Sequence, residues 1–170
     1  MVTPEKLLAR IRGMIVFFII ALVLSGVTAF PVYSELKWIN KMHFFSRDSF
    51  LGNWLLQVWV AVREINHIFP FLFYGYDWLA FAHLVIAMAF LGPWRDPVRN
   101  KWIIEWGMLC CAAVIPLAVI AGPIRHIPWY HIVIDCMFGI IGIIPLWITK
   151  KWIGRLEVMK EPVLATEISR

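Results

Sequence analysis

The chain has 170 residues, enough for one domain, and 61% of them are hydrophobic while 16% are charged. A typical soluble domain is about half apolar and about a quarter charged, and so short a chain could not bury this much apolar surface. The composition therefore excludes an ordinary soluble domain and indicates a membrane protein. The net charge of +5 does not indicate a nucleic-acid partner, because Lys and Arg flank the apolar segments instead of forming a basic stripe.

Four apolar segments are long enough to cross a bilayer as helices, which requires roughly 20 residues each. They cover residues 13–32, 76–93, 101–122 and 129–152. The first segment also resembles a signal peptide, but Pro31 follows the candidate cleavage site closely, and we expect an uncleaved helix. The sequence thus predicts an all-α integral membrane protein, with a single four-helix transmembrane bundle in residues 1–155 and a polar cytoplasmic tail in residues 156–170.

The basic residues predict the direction of the four helices. Eleven Lys and Arg residues lie on the side that carries both termini, and five lie on the other side. Because cytoplasmic loops carry the excess of basic residues, both termini are predicted to be cytoplasmic. We expect a multi-pass protein of a bacterial inner membrane, whose outer side is periplasmic.

The long segment between the first two spans contains a further helical pattern at about residues 49–66. Apolar residues recur there at intervals of three and four, and polar residues occupy the opposite face. Asp48 or Ser49 is a suitable N-cap, and Pro70 ends the run. Arg63 and Glu64 disfavour a spanning helix, so we predict an amphipathic helix on the outer membrane surface. Packing across the mouth of the bundle is favoured over docking of a partner.

All five histidines are predicted to lie on the outer side of the membrane. They are His43, His67, His83, His126 and His131. With about 1.5 Å of rise per residue, His83 and Asp135 lie about 10 Å and about 9 Å inside the membrane boundary, and His131 about 3 Å inside. His131 and Asp135 are four residues apart and share a helix face. The sequence therefore predicts a polar layer in the outer third of the bundle.

This layer allows a structural and a functional interpretation. In the first, His83 and Asp135 hydrogen-bond across helices and fix their register, as polar pairs in membranes do. In the second, His83, His131 and Asp135 are ligands of copper, zinc or iron, and His67 or His126 completes the cofactor site. Both interpretations account for the matched depth of His83 and Asp135.

In architecture alone, the chain resembles small four-helix haem b proteins of the cytochrome b561 and superoxide oxidase type. That resemblance implies haem with histidine axial ligands. Two haems would require histidine pairs near both membrane faces, and this chain has none near the inner face. One outer haem b is the remaining possibility, with His83 and a second histidine as axial ligands.

The sequence has no catalytic-triad, phosphate-loop or zinc-protease motif, which disfavours an enzyme. We therefore expect a non-catalytic membrane subunit or binding protein, in contact with lipid and with other membrane subunits or further copies of itself. The first alternative is a redox or metal protein with one haem b or a transition metal. The second is a proton-coupled carrier that uses Asp135 and His83, since ionisable residues inside spans mark such pathways.

Overall fold

The structure is a computed structural model that describes residues 3–42, 45–46 and 49–168, with side chains up to Met159. Every regular element in these ranges is helical. Four helical stretches are long and apolar enough to cross a membrane, as the sequence predicts, and they imply contact with lipid. These candidate spans are Pro4–Ala29, Pro70–Arg95, Lys101–Ile124 and Trp129–Met159.

Seven α-helices and one short 3-10 helix make up the described chain. They are α1 (Pro4–Ala29), α2 (Val32–Met42), α3 (Phe50–Ile68), the 3-10 helix (Pro70–Phe73), α4 (Tyr74–Ala89), α5 (Leu91–Arg95), α6 (Lys101–Ile124) and α7 (Trp129–Ile168). They form two compact units, the first from residues 1–20 and 88–170 and the second from residues 21–87. The single bundle of residues 1–155 stays a prediction.

The first unit has a dense apolar core near the end of α6 that begins at Lys101. The core side chains repeat at helical spacing along α1 and α7, which gives each helix one apolar face. They are Leu7, Ile11 and Ile15 of α1, Phe90 just before α5, Pro93 of α5, Ile103 and Ile104 of α6, and Leu146, Ile153 and Leu156 of α7. Thr149 is also fully buried, and its hydroxyl donates a hydrogen bond of 2.7 Å to the carbonyl oxygen of Pro145.

Polar contacts hold the helices of this unit together around the core. The guanidinium of Arg12 donates hydrogen bonds to the carbonyl oxygens of Trp94 (3.1 Å) and Arg95 (3.3 Å), which satisfies exposed acceptors at the end of α5. Two ion pairs join α6 to α7, between Lys101 and Glu157 at 2.6 Å and between Lys150 and Glu105 at 2.9 Å. Glu105, an acidic residue near the end of a span, is thus paired.

Small residues allow α6 and α7 to lie close together. A Cβ atom built on Gly139 of α7 would lie 2.5 Å from the carbonyl oxygen of Cys111 in α6, and one built on Gly142 would lie 2.9 Å from its Sγ. A Cβ on Gly122 of α6 would lie 2.6 Å from Ile132. The α6–α7 contact therefore depends on glycine, as is common between membrane helices.

The second unit contains α2, a helix that the sequence analysis did not predict. It packs against α3, and the rings of Tyr33 and Trp59 lie 5.5 Å apart. Helix α3 begins after Ser49, whose hydroxyl accepts a hydrogen bond from the amide of Gly52. Of the two predicted N-caps, Asp48 lies outside the described residues. The position of α3 on the membrane surface stays a prediction.

The fourth span differs from its predicted bounds at its C-terminal end. Helix α7 continues to Ile168 and so includes most of the predicted tail. Ile153 and Leu156 are fully buried in the first unit, so packing continues beyond Trp152, the last residue of the predicted span.

Candidate functional site

His131 and Asp135 form a polar pair in the first two turns of α7. The Nδ1 atom of His131 lies 3.3 Å from Oδ2 of Asp135, and both side chains are about two-fifths exposed (39% and 40%). The contact follows from the four-residue spacing, which places both side chains on one face of the helix. The carboxylate can accept further hydrogen bonds through its remaining lone pairs.

Apolar side chains surround the pair along the exposed surface of α7. Val133, Ile134 and Phe138 are all exposed, as expected for a lipid-facing helix. The pair itself lies inside the candidate span that begins at Trp129. Ionisable groups in such a position are costly, which makes them candidates for a functional role.

His126 lies in the turn between α6 and α7 and has a left-handed backbone conformation, with φ of 56°. The amide of His126 donates to the carbonyl of Pro123, and the amide of Ile127 donates to that of Gly122. This is the Schellman arrangement, in which glycine usually occupies the left-handed position. The side chain of His126 is exposed, and its position is explained by the turn it forms.

His83 lies on α4 in the second unit, where the first helix comes very close. A Cβ atom built on Gly26 of α1 would lie 2.9 Å from the carbonyl oxygen of Ala80 and 3.0 Å from Cβ of His83. The Nδ1 atom of His83 is 2.8 Å from the carbonyl oxygen of Leu79. A carbonyl oxygen can only accept, so Nδ1 is the donor in this contact, and in the neutral imidazole Nε2 then carries the lone pair.

The remaining histidines are His67 and His43. His67 is exposed in the last turn of α3, where a basic residue is favourable to the helix dipole. His43 lies outside the described residues. Of the predicted set, the structure brings His131 and Asp135 together. Within the described ranges, no three His, Cys, Asp or Glu side chains are grouped so that they could hold a metal ion.

The second unit also contains a cleft that the sequence analysis did not identify. It has a volume of about 240 Å³, and we call it the aromatic cleft. Its lining residues are Phe30, Tyr74, Asp77, Trp78 and Phe81. The spacing of the four α4 residues could have indicated a shared face, but the contribution of Phe30 depends on the tertiary structure.

His131 with Asp135, and His83, are therefore ionisable groups that lie inside candidate spans. Comparisons with models of protein families, with curated proteins and with solved structures found no match to this chain.

Proposed function

We propose that this protein is a non-catalytic membrane subunit or binding protein, and that it recognises its partner or ligand through the His131–Asp135 pair. The partner would be another membrane subunit or a second copy of this chain. The pair would lie near the periplasmic face of a bacterial inner membrane, with both termini in the cytoplasm.

The observation that supports this proposal is that the side chain of Asp135 remains partly accessible on an otherwise apolar surface of α7. One carboxylate oxygen contacts His131, while two-fifths of the side chain is accessible beside exposed Val133, Ile134 and Phe138. A hydrogen-bond donor from a partner would find an acceptor there, in surroundings where such bonds are not weakened by water. The apolar side chains around it would supply packing area.

Purification in mild detergent tests this proposal. We expect the protein to elute as a complex, either with another membrane protein or with itself, as measured by light scattering and mass spectrometry. Asp135→Asn keeps the size of the side chain and removes its charge. It should weaken the complex by about tenfold or more, because hydrogen bonds to charged groups contribute about 1.5–3 kcal/mol.

Val158→Ala is the matched control, since it alters an exposed side chain of the same helix far from the pair and from the apolar residues around it. The complex should survive that change. A wild-type protein that is monomeric at every concentration, and that retains no partner, would contradict the proposal. Equal weakening by both variants would place the interface on α7 without a role for the pair.

A second candidate function is that of a haem b or metal protein, and the geometry of His83 favours it. Histidine ligands usually donate their other ring N–H to a carbonyl or carboxylate, which fixes the tautomer. The contact of His83 with the carbonyl of Leu79 is of this kind, and Nε2 is the atom that would bind iron, copper or zinc.

An absorption spectrum and a metal analysis of the purified protein separate this candidate from the first. Bound haem, or uptake of added haem, copper or zinc in stoichiometric amount, would support it. His83→Leu should then abolish the uptake, whereas Val85→Ala on the same helix should preserve it. A colourless preparation that takes up none of these groups would rule it out.

A further inference from the structure

One face of α7 points away from the core of the first unit and changes from apolar to basic along its length. Its exposed side chains recur at intervals of three and four residues, which places them in one line on the helix. They are Ile140, Ile144, Trp147, Lys151 and Arg155. The buried residues Leu146, Ile153 and Leu156 lie on the opposite face of the helix. We call the exposed line the α7 stripe.

The two cations of the α7 stripe lack a carboxylate partner. Lys150, on the neighbouring face of the helix, is paired with Glu105 of α6 at 2.9 Å. Lys151 and Arg155 form no ion pair or hydrogen bond with any side chain in the described part of the chain, which ends at Met159. Like charges four residues apart destabilise a helix. An anion bound between them would remove that repulsion.

The ring of Trp147 shows where these cations lie relative to the membrane. The Nζ atom of Lys151 is 3.5 Å from the centroid of this ring, which is a cation–π contact. Both residues lie towards the C-terminal end of the candidate span Trp129–Met159. Because Trp is enriched at the level of the lipid headgroups, the α7 stripe becomes basic where a lipid changes from acyl chain to phosphate.

A phosphate group attached to acyl chains matches the chemistry of the α7 stripe. At about 1.5 Å of rise per residue, Lys151 and Arg155 are about 6 Å apart along the helix, so both long side chains can reach one phosphate. The guanidinium can bind two phosphate oxygens at once, and the ammonium adds a compact charge. The acyl chains would then lie along Ile140 and Ile144, whose side chains are exposed.

We propose that the α7 stripe binds an anionic phospholipid such as phosphatidylglycerol, with its phosphate between Lys151 and Arg155. Anionic lipids attract basic residues that lie just beyond a spanning segment. Phosphatidylethanolamine is a weaker ligand, because its own ammonium group neutralises its phosphate. Asp135 lies about 24 Å away along α7 by the same rise per residue, so this site is independent of the His131–Asp135 pair.

Lipid selectivity measured on the whole purified protein tests the proposal. The protein is mixed in detergent with equal amounts of phosphatidylglycerol and phosphatidylethanolamine that carry the same acyl chains, and the retained lipid is counted by native mass spectrometry. We expect the wild type to retain phosphatidylglycerol about tenfold or more in excess, because each basic residue near the headgroups contributes about fivefold.

Lys151→Gln and Arg155→Gln should each lower this excess by about fivefold, and the double variant by about tenfold or more. Each single variant removes one of two like charges from an exposed helix face, so we expect the variants to fold. An excess of phosphatidylglycerol that the double variant keeps would overturn the site.

A second double variant with the same loss of charge is the matched control. Lys6→Gln together with Arg99→Gln removes two exposed cations of the same unit that lie outside the α7 stripe. It should keep the excess of phosphatidylglycerol. If it lowers the excess as much as the stripe double variant does, the preference reflects total charge, and the site is overturned.

Glycerol phosphate distinguishes a lipid site from a site for soluble phosphate esters. It carries the phosphate without acyl chains, so it should not displace phosphatidylglycerol at millimolar concentration. Displacement at that concentration would overturn the lipid assignment. Equal retention of both phospholipids by the wild type would overturn the proposal as a whole.

Discussion

The contact between His131 and Asp135 shows which side-chain contacts could be predicted from the sequence. Their four-residue spacing predicted a common face, and the structure places their side-chain atoms 3.3 Å apart. The predicted bond between His83 and Asp135 depends instead on the packing of separate helices, which local spacing does not determine. The left-handed backbone of His126 could not be predicted either, because residues other than glycine rarely adopt that conformation.

A double-mutant cycle on His131 and Asp135 measures their coupling. His131→Leu or Asp135→Leu alone should lower the free energy of unfolding by about 1–3 kcal/mol, because each removes the contact between the two polar side chains in an apolar setting. The double replacement should cost clearly less than the sum, since it removes both polar groups. Thermal unfolding in detergent provides the measurement, and strictly additive losses would show that the contact is not a stabilising one.

Replacement of His126 by glycine tests the strain in the turn after α6. His126→Gly should raise the free energy of unfolding by about 1 kcal/mol, because glycine adopts a left-handed conformation without steric cost. Arg125→Gly is the matched control, since its φ of −95° requires no glycine. That variant should not stabilise the protein. A loss of stability in His126→Gly would contradict the strain in this turn.

At the scale of whole helices, the length of the apolar segments was enough to predict the four spans, but it did not predict well where the helices begin and end. Helix α1 begins at Pro4 because Leu7 and Ile11 extend its buried face beyond the purely apolar stretch. Helix α2 was missed because its few apolar residues are separated by charged ones, and its packing on α3 completes its apolar contacts. Gly139 and Gly142 of α7 permit its close contact with α6.

Alanine substitutions at two glycines of α7 distinguish the effect of close helix contact on stability from the effect of helix propensity. Gly139→Ala should lower the free energy of unfolding by about 1–3 kcal/mol, because its Cβ would collide with the backbone of Cys111. Gly154→Ala meets no atom within 4 Å and should stabilise the helix by up to about 1 kcal/mol. Chemical unfolding of both variants gives the comparison, and equal effects would contradict the close α6–α7 contact.

For the whole molecule, the four spans were predictable because a bilayer imposes a minimum apolar length on each helix. Their direction follows from the uneven placement of Lys and Arg, and it stays a prediction. An even number of crossings would place both termini on one side. The division into residues 21–87 and the remainder was not predictable, because it depends on which helices pack together and not on composition.

Cysteine labelling tests the predicted direction. In a variant in which Cys110, Cys111 and Cys136 are replaced by alanine, Gln57→Cys should react with an impermeant maleimide in intact cells. Gly154→Cys should react only after the membrane is opened, because eleven of the sixteen basic residues lie on its side. The opposite pattern would reverse the topology.

The core around Phe90, Ile104 and Ile153 makes the packing of the first unit denser at one end of α6 and α7 than at the other. Amide hydrogen exchange should therefore be polarised along α6 and α7, since regions with dense apolar packing open only with large free energies. The amides near Ile104 and Ile153 should be the last to exchange, while those near Leu117, Ile120 and Val133 should depend on the surrounding lipid for protection. In lipid-poor detergent, the protein would then begin to open at the end of the helix pair that carries Asp135.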